Sequence, residues 1–203
     1  ILTYLEPAAS STVELVVEIM EYQNIDAQLN ELDATIMYAG MLVDTNNFKQ
    51  RVGVRTFQSA ASLRDSQANV TKAYEFLEDS YEETLTKLSI TQNAYRYNSY
   101  VLIAMGNEDK EYPSAMLAKA SNALLEISGI KASFTIALIN KGRIAVSARS
   151  TKDFNVQIIM ENMGGGGHFS MAAAQFEDKT LEEVRVLLEE KIHEYLEDRG
   201  EMK

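Results

Sequence analysis

Four consecutive glycines followed by a histidine are the most distinctive chemical feature of this sequence, Gly164-Gly165-Gly166-Gly167-His168. Because glycine has no Cβ, its amide can approach a ligand closely and can adopt positive φ. Successive amides of such a loop can surround an anion, and a helix beginning at His168 or Phe169 would add the field of its N-terminus. A flexible linker or a helix C-cap is the structural alternative. The apolar residues on both sides of the run favour contact with a phosphate, to which His168 could donate a hydrogen bond.

A second candidate is Arg149, which lies with Ser147 near the end of a predicted strand. Strand alternation places these two side chains on one face, opposite Val146 and Ala148. The planar guanidinium carries a fork of donors that suits a phosphate, although a solvated strand end is the plainer alternative. The segment between Arg149 and Gly164 has room for one helix, which would bring the arginine and the glycine loop together.

Asp44 and Arg55 are weaker candidates. Asp44 follows an apolar segment, where it is either a turn residue or a carboxylate that reaches into a cleft. Arg55 either brings a cation to that cleft or pairs with one of the many acidic groups. A hard divalent ion takes about six ligands, and the histidines are His168 and His193, the latter expected on a helix surface. The sequence therefore offers no complete metal site, and no Ser-His-Asp order, P-loop or H-E-x-x-H motif.

The elements that must position these residues alternate between strand and helix patterns, so the sequence predicts an α/β fold with a mixed or antiparallel sheet. Predicted strands cover 100–105, 133–138 and 143–149, the last two joined by a hairpin turn at 140–142. Capping boxes are predicted at Ser11–Glu14 and Thr180–Glu183. Predicted helices include 114–127, 155–163 and a terminal helix after Thr180. We place an incomplete domain at 1–68, a helical linker at 69–92 and a second domain at 93–203.

Composition narrows the classes of function. The 203 residues carry a net charge of −11 and contain no cysteine. Long nucleic acids are therefore poor partners, because they require a basic face, whereas a small anion in a local pocket is compatible with this charge. Disulfides and thiol chemistry are excluded. No apolar window of the sequence is long enough to span a membrane. The chain opens at Ile1 without Met, and we expect it to be a piece of a longer protein.

Several segments together resemble one family, the DHH–DHHA1 phosphoesterases, and within it the membrane-anchored cyclic-di-AMP phosphodiesterases of Firmicutes. The segments are Glu6–Leu15, Tyr38–Phe48, Arg55–Phe57, Ser147–Ser150 with Asn155-Val156, and Gly164–His168. The resemblance covers nearly the whole chain and is specific in order and spacing. It implies the C-terminal part of a DHH domain followed by a DHHA1 domain with a mixed β-sheet flanked by helices.

The resemblance also implies roles for individual residues. Asp44 matches a metal-ligand aspartate of the DHH domain, where two Mn²⁺ ions would activate a hydroxide that opens cyclic-di-AMP to linear pApA. Arg149, His168 and the glycine loop match the DHHA1 residues that hold the nucleotide. We assign Ser147, Ser150, Asn155 and Arg55 to substrate binding with them. The family further implies a homodimer at the cytoplasmic face of the membrane, anchored by N-terminal helices.

The sequence departs from the family in one large respect. The His-x-x-x-Asp-x-Asp cluster, a following aspartate and the Asp-His-His signature are absent, and the resemblance places all of them upstream of Ile1. We therefore expect one metal ligand here and no turnover by these residues alone. Two alternatives remain: a nanoRNase-like hydrolase of short linear oligonucleotides that uses the same residues, and a non-catalytic nucleotide-sensing module.

Overall fold

The computed structural model describes residues 4–22, 29–50 and 52–200. The chain forms two compact units that divide between Glu78 and Asp79. The division falls inside the predicted linker, whose first helix packs in the first unit and whose second helix packs in the second. None of the helices in the described ranges is both long and apolar enough to cross a membrane.

The first unit consists of helices. They are α1 (Thr12–Tyr22), α2 (Glu31–Asp44), α3 (Val54–Asp65) and α4 (Val70–Glu75). Helix α2 begins at an Asn30 cap and packs against the other three, so that Met41 and Leu63 are fully buried. Burial of these apolar side chains stabilises a unit whose short helices would be marginal alone.

Helix α1 begins where predicted, but the Ser11–Glu14 capping box is wrong. The Glu14 carboxylate accepts hydrogen bonds from the amide and Oγ of Ser10, at 3.3 Å and 2.6 Å, and from Thr56 Oγ1 at 3.0 Å. Ser11 Oγ accepts from the Val13 amide and donates to Asp44. Glu14 is only 2% exposed, so this buried carboxylate fastens α1 to α3 instead of closing its own helix end.

The second unit is a three-layer α/β fold. Its helices are α5 (Tyr81–Thr91), α6 (Ser114–Leu125), α7 (Val156–Asn162) and α8 (Leu181–Asp198). Its strands are β1 (Tyr95–Arg96), β2 (Val101–Met105), β3 (Ala132–Ile139), β4 (Arg143–Ser150), β5 (Gly166–His168) and β6 (Met171–Phe176). The strands form one six-stranded sheet in the order β1-β2-β3-β4-β6-β5, in which only β2 and β3 run parallel. This confirms the predicted mixed sheet flanked by helices, with the 140–142 hairpin turn.

Different helices pack against the two faces of the sheet. One face carries Phe134, Ile136 and Val146 and packs against α7 and α8. The opposite face packs against α5 and α6 through Leu117, Ala137 and neighbouring residues. Helix α6 contacts β3 and β4, and β6 and β5 extend the sheet beyond it. The sheet therefore presents an uncovered strip beside α6, over β4, β6 and β5.

The helix considered as a possible continuation of the glycine run does not form. The run leads into β5, which turns at Phe169-Ser170 and pairs antiparallel with β6. The Ala172-Ala173-Ala174 segment belongs to a strand whose side chains alternate between buried and exposed. The glycine run therefore does not lead into a helix N-terminus at His168 or Phe169.

Candidate functional site

A pocket of about 320 Å³ lies on the uncovered strip of the sheet in the second unit. Helix α6 contributes Ser114, Leu117 and Ala118 to it, and the strands supply the rest. Strand register explains the grouping, because Ser147 pairs with Ala173, Arg149 with Met171, and Gly166 with Ala173. Residues that pair across neighbouring strands point to the same face. Ser147, Arg149, Gly166 and Gly167, all predicted from the sequence, line this one pocket.

Arg149 is the principal charged group of the pocket. Its Nη1 donates to the carbonyl of Ala148 at 2.8 Å and to Ser147 Oγ at 3.3 Å, while its buried Nε has no hydrogen-bond partner. Burial lowers the pKa of the Arg149 guanidinium, which nevertheless stays charged. Among the described residues, no carboxylate forms an ion pair with it. A partly desolvated cation without a protein counter-ion favours an anionic ligand.

Glycine is needed at different positions of the run for different physical reasons. Gly164 adopts φ +79°, in the left-handed region. A Cβ at Gly165 would lie 2.1 Å from the Ala173 carbonyl oxygen, and one at Gly167 would lie 2.4 Å from that of Met171. These two glycines allow the close approach of β5 to β6. A Cβ at Gly166 would meet nothing within 4 Å, so the fold does not require glycine there, and its open side faces the pocket.

The other predicted substrate residues of the second unit do not line the pocket. His168 is exposed and pairs with Met171, which puts it on the pocket face at the Arg149 end, although it does not line the pocket itself. Ser150 is buried and its Oγ donates to the Phe154 carbonyl at 2.6 Å. Asn155 caps α7 through its side chain. Ser150 and Asn155 thus serve the fold here and lie outside the pocket, and their contact with substrate stays a prediction.

Asp44 lies in a separate pocket of about 260 Å³ within the first unit. It ends α2 and accepts a 2.6 Å hydrogen bond from Ser11 Oγ. Glu6, Ser10 and Thr12 also line the pocket. Directly after Asp44, the chain makes a turn in which the non-glycine residues 46, 47 and 48 all have φ between 47° and 58°. Such backbone is costly in three successive residues with side chains. The turn sets how the chain leaves the end of α2.

The Asp44 pocket is not a complete metal site. In the part of the chain that the structure describes, no group of three or more His, Cys, Asp or Glu side chains is arranged to hold a metal ion. Asp44 and Glu6 are the acidic residues that line this pocket. Two divalent ions require more ligands than these side chains supply. The role of Asp44 as one ligand of a larger set stays a prediction.

Arg55 has an acidic environment within the first unit. Its Nε and Nη2 donate to the two carboxylate oxygens of Glu18, each at 2.6 Å, and its Nη1 donates to Glu6 at 3.2 Å. Glu14 lies 3.9 Å from Nε. The hydrogen bond to Glu18 raises the pKa of Arg55, and the same bond lowers the pKa of Glu18. This geometry matches the ion-pair alternative for Arg55, and its contact with substrate stays a prediction.

Sequence reasoning missed Gln175 and Arg143. Gln175 lines the second-unit pocket at the end remote from Arg149, and its Oε1 accepts a 3.0 Å hydrogen bond from Arg143 Nη1. Reading Met171–Phe176 as a strand would have placed Gln175 on the same face as Met171 and Ala173. No helix or strand was predicted from the sequence over this segment.

Comparison with known proteins identifies the domain family of the second unit. Residues 98–197 match the DHHA1 domain family, so the chain contains a DHHA1 domain. An exopolyphosphatase-related protein from Bacteroides fragilis, known from its crystal structure, superposes with a TM-score of 0.86 over 96% of this chain and 59% of its own, at 20% identity. That similarity extends the shared fold across both units.

The chain is, further, similar to cyclic-di-AMP phosphodiesterases, which confirms the resemblance found in the sequence. It is 41% identical to GdpP of Geobacillus thermodenitrificans over 97% of its length, 39% to PdeA of Listeria monocytogenes over 96%, and 37% to GdpP of Bacillus subtilis over 97%. The chain spans 30% of the length of each of these relatives.

Proposed function

We propose that this chain is the substrate-holding part of a cyclic-di-AMP phosphodiesterase that opens the cyclic dinucleotide to linear pApA. The observation that carries the proposal is Arg149, a half-buried guanidinium that has no ion-pair partner in the part of the chain that the structure describes and shares a pocket with the open side of Gly166. The relatives GdpP and PdeA are cyclic-di-AMP phosphodiesterases. The pocket chemistry supports a phosphodiester ligand for this chain.

In this proposal Arg149 binds and neutralises a phosphate, and Ser147 Oγ, which accepts from Arg149 Nη1, holds the guanidinium in place. His168 borders the same end and can donate to a phosphate oxygen. Two Mn²⁺ ions would supply the attacking hydroxide of such an enzyme. The described acidic residues do not make up that site, so we assign binding and orientation, and no bond cleavage, to the residues of this chain.

The proposed parent protein supplies the remaining metal ligands from a preceding segment. We further propose that it acts as a homodimer at the cytoplasmic face of the membrane. Support for these points is the family resemblance alone. A nanoRNase-like hydrolase and a nucleotide sensor are the competing functions, and both would use the same pocket.

The experiment measures products from cyclic-di-AMP and from short linear oligoadenylates with Mn²⁺. It compares this chain, a longer protein that includes the upstream motifs, and the longer protein with Asp44→Asn. We expect pApA from the longer wild type only. Hydrolysis of linear substrates alone would favour the nanoRNase-like function, and binding without turnover in every protein would favour the sensor.

Binding by this chain is tested separately with Arg149→Met. Loss of charge-assisted hydrogen bonds should weaken dinucleotide binding by roughly 10- to 100-fold. Folding stability should change little, because burial disfavours the charged guanidinium and its Nε has no hydrogen-bond partner, which offsets the loss of the Nη1 hydrogen bonds. Titration calorimetry and thermal unfolding give the two quantities, and unchanged affinity would contradict the assigned role.

A further inference from the structure

The second-unit pocket is elongated along the strands, with Arg149 and Gln175 at opposite ends. Arg149 pairs with Met171 and Ala145 pairs with Gln175, so the two ends are four register positions apart. At about 3.4 Å per residue, that is roughly 14 Å between backbones, before the two long side chains reach inward. This length suits the distance between the phosphate of a nucleotide and the far edge of its base.

The middle of the pocket has the properties of a surface for a flat apolar ring. Ala173 lies on the strand face between the two ends, Ala145 lies beside Gln175, and Leu117 and Ala118 of α6 form the side wall. None of these side chains carries a hydrogen-bonding group. Ser147, which pairs with Ala173, has its hydroxyl in a hydrogen bond with Arg149. A nucleobase could therefore lie over the alanines, with Ser147 on its phosphate side and Gln175 at its far edge.

Gln175 supplies those polar atoms in a fixed orientation. The Arg143 guanidinium has donors and no acceptor, so the Gln175 atom that it contacts at 3.0 Å must be the carbonyl oxygen. That bond leaves the amide nitrogen as a donor, and the second lone pair of Oε1 as an acceptor. The side-chain amide thus presents an adjacent donor and acceptor at the end of the pocket.

We propose that Gln175 recognises the adenine base, with Arg143 as a residue that positions it, an inference that rests on the function proposed above. The Gln175 amide donates to a ring nitrogen of adenine and accepts from its exocyclic amino group, a pairing that glutamine makes in other adenine complexes. Guanine carries a carbonyl oxygen in place of that amino group. The Gln175 oxygen would then oppose another acceptor, and guanine would bind more weakly.

The test measures the affinity of this chain for linear and cyclic adenine dinucleotides against their guanine counterparts by titration calorimetry. We expect the wild type to prefer adenine by about 10-fold, and Gln175→Leu to bring the two affinities close together. Gln175→Glu, which keeps an acceptor for the exocyclic amino group but loses the donor to the ring nitrogen, should weaken adenine binding. Arg143→Met should reduce it partly.

Two controls separate the possible failures. Gln157→Leu makes the same chemical change on α7, outside the pocket, and should leave the preference intact. Arg149→Met should weaken adenine and guanine ligands equally. If Gln175→Leu keeps the wild-type preference while Arg149→Met loses binding, base recognition by Gln175 is wrong and the proposed function stands. If the wild type binds neither series, both proposals fail together. Full preference in Arg143→Met would overturn the role of Arg143 alone.

Discussion

A methyl group added at Gly165 and one added at Gly166 would meet opposite surroundings, although the two residues are neighbours. The first would collide with β6, and the second would project into open space on the pocket side. Adjacent positions in one segment therefore separate the requirements of folding from those of ligand binding, which is rarely possible in a glycine-rich loop.

We predict that Gly166→Ala folds with nearly normal stability but binds cyclic-di-AMP more weakly, because the methyl group occupies space next to the phosphate. Gly165→Ala should instead lower the free energy of unfolding by roughly 1–3 kcal/mol, since overpacking forces β5 away from β6. Urea unfolding and titration calorimetry on both variants give the comparison. Wild-type affinity in a well-folded Gly166→Ala variant would contradict a ligand role for this glycine.

Local sequence patterns were sufficient to predict the positions of some site residues and insufficient for others. Strand alternation alone put Ser147 and Arg149 on one face, because the period of a strand is a local property. The environment of Arg55 was not predictable, since its partners Glu6, Glu14 and Glu18 come from another part of the chain. Gln175 was missed because no strand was predicted over Met171–Phe176, so its place on the face shared with Arg149 was not visible from the sequence.

Helices α5 and α6 are joined by a small network of ion pairs. Asp79, just before α5, accepts from Lys87 at 2.5 Å and from Lys119 of α6 at 2.6 Å, and Lys119 also reaches Glu83 at 3.0 Å. The hydrogen bond from Lys119 is the main reason that the pKa of Asp79 is lowered, followed by that from Lys87. The network fastens α5 to the helix that walls the pocket.

We predict that Asp79→Asn lowers stability at neutral pH by no more than about 1 kcal/mol, because the ion pairs are partly solvated. The folded pKa of Asp79 is depressed, so its contribution is present above the unfolded value of about 3.9 and disappears as the pH falls through the folded value. The wild type and the variant should therefore converge in acid. Chemical unfolding at pH 7 and below pH 3 tests this, and a constant difference at both would contradict it.

The start of a helix could be predicted from the sequence where the capping residues bond only to each other. The Thr180–Glu183 capping box opens α8 as predicted. At Ser11–Glu14 the same signature was misleading, because Thr56 and Ser10 compete for the Glu14 carboxylate. The left-handed turn at 46–48 also had no local signal beyond its asparagines, since a phenylalanine with positive φ is uncommon.

For the whole molecule, the two units have separate hydrophobic cores. All buried side chains of the two larger clusters lie between Ile90 and Leu196. We predict that residues 79–203 fold as an independent domain and retain dinucleotide binding within a few-fold of the full chain. Circular dichroism, a cooperative thermal transition and calorimetry test this, and an unfolded product would show that the second unit depends on the first.

The sheet of the second unit also limits how copies of this protein can associate. Its outermost strands, β1 and β5, have two and three residues, and most of β5 is glycine, whose lack of a side chain weakens strand pairing. Long, flat outer strands invite backbone pairing with another chain and so promote aggregation, whereas such short ones offer few unpaired amides and carbonyls. Backbone pairing between copies at the ends of this sheet is therefore disfavoured, and the sheet end beside the second-unit pocket should resist fibre growth even in concentrated solution.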